Sequence, residues 1–184
     1  KGILTLTTGA TNNDEIYLCT STELFTMAAN AHFKVSALVQ FTNTNTTDNV
    51  FLGFMSDVAA NSLVDDGGGP VAGSEDYVGI WCVDGVAHYY AGVQSSGTAT
   101  PTADTIGIPN TTAGGSAYQL LEVEWRGLSS TQGVATFRVE GVVIATIHHS
   151  YTGAETMAAC LGAKTGEAVD FTINVDTFGH AGKR

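Results

Sequence analysis

Glu122-Val123-Glu124 places two carboxylates two residues apart, and on a β-strand that spacing turns both side chains to the same face. Paired carboxylates a few ångströms apart are what glycoside hydrolysis needs, one as nucleophile and one as acid. The next position in that register is Arg126, and Leu121, Val123 and Trp125 form an apolar face behind, so the pair reads more simply as a solvated outer face. Oxygen ligands for a hard cation could come from Asp65-Asp66-Gly67 or from Asp170, Asn174 and Asp176. Turn chemistry for the loop pair and a hydrated strand face for the trio are the simpler readings. His148 and His149 are adjacent and must point to opposite faces of a strand, while His32, His88 and His180 have no ligand spacing. No metal or other cofactor is expected. The sequence has neither a Gly-x-Ser-x-Gly elbow nor a phosphate loop. Trp81, Tyr89, Tyr90 and Tyr151 are the side chains that could form an aromatic platform for a sugar. The competing reading makes the two indoles, Trp81 and Trp125, anchors of a core. Tyr89 and Tyr90 must split between faces, one inward and one outward.

The chain has 184 residues and a formal net charge of -11, from 18 acidic against 7 basic residues. Three of those seven, Lys1, Lys183 and Arg184, stand at the ends. So few cations in the body disfavour nucleic acid and anionic membrane as partners. No apolar run approaches the roughly 20 residues of a membrane helix, and no charged-then-apolar leader opens the sequence. A chain of this length buries roughly 70% of the surface its unfolded form exposes, enough for a core without staples. Cys19, Cys82 and Cys160 are far apart and odd in number, so they read as small buried hydrophobes in a reducing compartment.

Period-two alternation dominates. Phe33, Val35, Ala37, Val39 and Phe41 share a face in 33–42, as do Leu121, Val123 and Trp125 in 118–126 and Val169, Phe171, Ile173 and Val175 in 169–178. Val83-Asp84-Gly85-Val86 and Val139-Glu140-Gly141-Val142 predict two tight hairpins, because Gly accepts the positive φ of such turns. Shorter strands are expected at 3–7, 16–19, 50–56, about 102–108 and 157–161. Residues 22–31 suit either a turn of helix or an irregular strand. Residues 57–76 and 94–117 read as loops. Strands without intervening helices predict a two-layer antiparallel β-sandwich over 1–184, with N-terminal strands in 1–20 and the main sandwich in 30–178.

Phe33-Lys34-Val35-Ser36-Ala37-Leu38-Val39, Asn49-Val50-Phe51-Leu52-Gly53-Phe54 and Asp76-Tyr77-Val78-Gly79-Ile80-Trp81 resemble successive strands of the concanavalin A-like (laminin G-like) jelly roll. So do Tyr118 to Trp125 with Thr136 to Ala145, and the resemblance is nearest to the versions found in virion structural proteins of tailed bacteriophages. These motifs are packing and turn signatures and carry no chemistry. The resemblance implies a non-enzymatic virion component, decorating the capsid or forming part of a head fibre or appendage. It would be assembled in the host cytoplasm, touch the major capsid or other virion proteins, and form a homo-oligomer, with a trimer the natural choice. The alternative is a lectin-like carbohydrate-binding domain for host or glycan attachment, using Trp81, Tyr89, Tyr90 and Tyr151. A glycoside hydrolase comes third, since hydrolases on this fold carry a longer acidic strand pattern than Glu122-Val123-Glu124.

Overall fold

The computed structural model describes residues 2–41, 49–63, 71, 75–82, 88–96, 98–104, 117–153, 155–166 and 168–183, with backbone alone at 98–104 and 183. Thirteen strands occur among them: β1 Leu4–Thr7, β2 Glu15–Cys19, β3 Phe25–Thr26, β4 His32–Phe41, β5 Asn49–Met55, β6 Tyr77–Cys82, β7 Tyr90–Ser95, β8 Thr98–Asp104, β9 Gln119–Gly127, β10 Gln132–Val139, β11 Val142–Ser150, β12 Thr156–Lys164 and β13 Thr172–Lys183. They form two antiparallel sheets. The six-stranded sheet runs β1-β13-β4-β9-β10-β11, and the seven-stranded sheet runs β2-β12-β5-β6-β7-β8 with β3 alongside β12. The first two strands are thus divided between the layers, β1 pairing with β13 and β2 with β12.

The six-stranded sheet obeys the alternation read from the sequence except at Val169, which precedes β13 and is exposed. Val35, Ala37, Val39, Leu121, Val123, Trp125, Ala135, Phe137 and Ile173 point inward and meet Leu52, Phe54, Val78, Ile80, Val93, Ala159 and Leu161 of the other layer. Burial of such side chains stabilises by about 1.5–3 kcal/mol each. The Glu140-Gly141 hairpin is as expected: both turn residues have positive φ, 53° and 76°, and Val139 lies opposite Val142. The Asp84-Gly85 turn lies outside the described residues, but the strands on either side of it pair, with Trp81 opposite Tyr90.

Of the two readings of 22–31 the irregular strand holds: Phe25–Thr26 forms β3 against β12, because Phe25 packs into the Phe33 and Phe54 rings. Two expectations are corrected. Strand β8, Thr98–Asp104, begins ahead of the expected 102, with 105–108 outside the described residues, and Pro101, which cannot donate to a ladder, sits beside a register shift on an edge strand. Cys19 and Cys160 are not separate thiols: they are cross-strand partners on β2 and β12, Cα atoms 4.2 Å apart, joined as a disulfide across 141 residues of sequence. Cys82 is buried and outside that disulfide.

Candidate ligand-binding face

Strands β5, β6 and β12 are buried along almost their whole length on both faces, unlike the strands of the other sheet. Their outward side chains Phe51, Met55, Tyr77, Trp81 and Cys160 build a second apolar cluster together with Leu63 and Val71 from outside these strands. Gly53, Gly79 and Gly92 lie directly opposite one another across β5, β6 and β7. This row of glycines lets aromatic rings lie flat on the sheet. A Cβ at Gly79 would collide with the Phe51 ring, and one at Gly92 would come within 2.9 Å of the Trp81 indole. On that floor Trp81 stacks against Tyr90 at 5.9 Å and 21°, while Tyr77 meets it edge-on at 5.9 Å and 86°. The His88 ring lies 5.0 Å from that of Tyr90. Trp81 is 4% exposed, whereas Tyr90 and His88 are half-exposed. Burial pushes the Tyr77 hydroxyl up to about 12, so it stays neutral.

Residues 57–63 cover part of this face and are pinned there by a buried ion pair. Glu15 accepts the Asn61 amide at 2.6 Å and the Leu63 amide at 3.2 Å, and meets Lys164 Nζ at 3.3 Å. Lys164 also donates to the Leu63 carbonyl at 3.0 Å. Leu63 bridges to Val71, and its amide is shared with the Tyr17 hydroxyl, which burial and Glu15 hold protonated well above the usual tyrosine range. The aromatic face is therefore closed over Phe51 and opens toward Tyr90 and His88.

Where β5 and β7 end and β6 and β12 begin, a polar cluster gathers. Ser56 donates to Glu75 at 3.2 Å, the Ser96 amide to Asp76, and Ser96 Oγ to Glu155 at 2.6 Å. Burial first, and then the hydrogen bond and charge of Glu155, push the Asp76 carboxyl up to about 6. Deeper in, Ser95 Oγ and His149 Nε2 lie 2.7 Å apart and tie the two sheets together. Both are buried, and that burial lowers the His149 pKa. Sequence reasoning missed this cluster because its members come from four distant strand ends and share no spacing. The opposed faces expected for the neighbouring histidines are observed, with His149 buried and His148 exposed.

The candidate site residues separate. Tyr89 is fully buried between the sheets and donates to Gln119 Oε1 at 2.9 Å; Tyr151 is equally buried, T-shaped against Trp125, and donates to the Ser129 carbonyl at 2.7 Å. The core takes up both rings, and of the four aromatics only Tyr90, stacked on the buried Trp81, is partly exposed. Glu122 and Glu124 project from the outer face of the six-stranded sheet. Lys34 pairs with Glu122, while Arg138 donates to Glu124 at 2.7 Å and His32 Nε2 lies 2.8 Å from it. Burial alone would raise the Glu124 carboxyl, but Arg138 and His32 outweigh it and hold it below the usual carboxylate range. Each of the two carboxylates is thus paired with a basic side chain. Asp65-Asp66-Gly67 lies outside the described residues. Asn174 is engaged by Thr5 and Gln40, and no group of three or more acidic, His or Cys side chains suited to a metal occurs among the described residues.

No family model and no curated protein matches the sequence. Solved structures do. The endo-β-1,4-glucuronan lyase of the fungus Trichoderma reesei superposes with a TM-score of 0.66 at 11% identity, covering 98% of this chain and 82% of that one. The potassium-bound carbohydrate recognition domain of Emp46p gives 0.62 at 9% identity, covering 95% and 81%. The legume lectin-like domain of Entamoeba histolytica gives 0.55 at 9% identity, covering 95% and 81%. The fold is a concanavalin A-like, legume lectin-like jelly roll. At these identities the likeness establishes architecture alone, and the jelly roll's chemistry rests on its own side chains.

Proposed function

We propose that this jelly roll is a non-enzymatic carbohydrate-binding domain whose ligand packs on the outer side of the seven-stranded sheet at Trp81, Tyr90 and His88. The stacking of a half-exposed Tyr90 on a buried Trp81 carries the reading. The two rings are held in place before any ligand arrives, by Tyr77 edge-on and Gly92 beneath, so little side-chain freedom is lost on binding. A sugar ring offers an apolar C–H face to such a surface and hydroxyls to its rim. Two of the neighbours named above are a carbohydrate recognition domain and a legume lectin-like domain, which favours binding over the virion structural role that the sequence resemblance implied. The pairing of Glu122 and Glu124 with cations favours binding over hydrolysis.

The test is titration of an oligosaccharide panel against wild type, Tyr90→Ala and Tyr90→Phe, with circular dichroism confirming the fold. Tyr90→Ala should weaken binding at least tenfold, about 1.4 kcal/mol, while Tyr90→Phe retains it. Failure of every glycan to bind, or binding indifferent to Tyr90→Ala, would overturn the proposal. Mass spectrometry of purified phage particles that found the chain in stoichiometric amount would restore the structural role.

A further inference from the structure

Strand β2 turns Glu15, Tyr17 and Cys19 to the outer face of the seven-stranded sheet, because alternate residues of a strand share a face. Opposite them on β12 stand Lys164, Gly162 and Cys160, in that order. Three side-chain links therefore join the two strands in a row. The Glu15–Lys164 ion pair lies at one end, the Tyr17 ring over Gly162 in the middle, and the Cys19–Cys160 disulfide at the other end. A Cβ at Gly162 would come within 2.7 Å of the Tyr17 ring and 3.2 Å of the Leu63 side chain, so the missing side chain makes room for both.

The same row holds the cover formed by residues 57–63. Glu15 accepts the Asn61 and Leu63 amides, the Tyr17 hydroxyl accepts the Leu63 amide as well, and Lys164 donates to the Leu63 carbonyl. Cys19 and Val58 both pack against the apolar cluster that contains Phe51 and Trp81. Burial anchors β2 only weakly: all five of its residues are half-buried, and among the described residues it pairs with β12 at the end of the sheet. The disulfide is the covalent part of that attachment. Its two sulfurs differ in access, since Cys160 is fully buried and Cys19 half-buried. An attacking thiolate takes the sulfur it can reach.

We propose that Cys19 is an exchange site for low-molecular-weight thiols such as glutathione, and that its disulfide with Cys160 is a redox latch on the 57–63 cover. The small thiol loses its proton and attacks Cys19 Sγ; the protein S–S bond breaks, and Cys160 leaves as a thiolate that takes up a proton. A second small thiol attacks the mixed disulfide at the small molecule's own sulfur and frees Cys19, which is protonated in turn. Two small thiols are oxidised to one disulfide, and the protein disulfide is reduced by two electrons. The ladder and the ion pair remain, so β2 stays paired but opens more often, and each opening takes the acceptors of Asn61 and Leu63 with it. Reduction thereby uncovers Phe51 and widens the aromatic surface beside Trp81. The latch stands whether or not a glycan binds at Tyr90, because its readouts belong to the cover itself.

Hydrogen exchange of the whole chain tests this with oxidised wild type, wild type reduced by dithiothreitol, and Cys19→Ser. Once denatured, the oxidised protein should titrate for one thiol and the reduced protein for all 3 of its cysteines. In reduced wild type and in Cys19→Ser, the Asn61 and Leu63 amides should exchange at least tenfold faster than in oxidised wild type. That exchange should depend little on added urea, the mark of local opening, and should outpace the amides of Val123 and Phe137 in the six-stranded sheet. Dithiothreitol should change nothing further in Cys19→Ser. Brief exposure of the native oxidised protein to glutathione, followed by an acid quench and peptide mapping, should find the glutathionyl group on Cys19. Three thiols in protein purified in air, glutathione on Cys160, cover amides indifferent to reduction, or cover amides that exchange only together with Val123 and Phe137 would each overturn the proposal.

Discussion

Removing one half of the Glu15–Lys164 pair should cost more than removing both. The Lys164 and Glu15 side chains are 5% and 7% exposed, so Lys164→Met strands a buried carboxylate with the Asn61 and Leu63 amides and the Tyr17 hydroxyl but no cation among the described residues. Breaking a buried pair in this way destabilises by about 3–5 kcal/mol. Glu15→Gln keeps an acceptor for the two amides but leaves the Lys164 ammonium buried against the Leu63 carbonyl alone, with a similar loss. In the double variant Glu15→Gln/Lys164→Met no charge is buried and one amide-accepting oxygen remains. Its loss should fall to about 1–2 kcal/mol, the scale of a weakened hydrogen bond. Urea unfolding of all four proteins measures the cycle. Because residues 57–63 cover the cluster that contains Trp81, the single variants should also shift indole fluorescence to the red. Losses that simply add, or a double variant less stable than either single one, would refute both the buried pair and its role as the clasp of the cover.

Acidity should act on the polar cluster in two opposed senses. With its pKa raised to about 6 from 3.8, Asp76 binds its proton more tightly in the folded state, so its contribution is present at low pH and is lost as pH rises through about 4 to 6. For a carboxyl at the sheet end this is about 1–2 kcal/mol, and in Asp76→Asn that decline should vanish from urea titrations taken across the window. His149, lowered by burial, contributes stability above 6.5 that is lost as pH falls. Asp76→Asn should therefore be more sensitive to acidification than wild type, and equal pH profiles would contradict the assignment. Gly79→Ala drives a methyl into the Phe51 ring and should cost about 1–3 kcal/mol in thermal unfolding, whereas an unchanged Tm would show that the rings do not lie on the glycine row.

The six-stranded sheet was legible because its outer face meets solvent. Val35, Val123 and Phe137 alternate with Lys34, Glu124 and Arg138, and the period-two pattern gives both the strands and their inward faces. Glu140-Gly141 fixed its hairpin for an equally local reason, the positive φ of both residues. The seven-stranded sheet was harder to read. Asn49–Met55, Tyr77–Cys82 and Thr156–Lys164 are nearly continuous apolar runs, the signature of strands covered on both sides. That signal predicts a covering layer but not which loop supplies it, since Glu15, Asn61, Leu63 and Lys164 meet only through the fold. Long-range register also hid the Cys19–Cys160 bond. Among the platform aromatics, strand parity separated Tyr89 from Tyr90, yet nothing local told that Tyr151 is held inward by the Ser129 carbonyl.

Where ligand contact falls on the jelly roll is the most direct question, and amide and side-chain chemical-shift mapping during titration with a bound oligosaccharide answers it. Shifts should concentrate at His88, Tyr90, Gly92 and Gln94 on the seven-stranded sheet and leave His32, Lys34, Glu122 and Glu124 unmoved. Perturbation confined to the charged face of the six-stranded sheet would contradict the account.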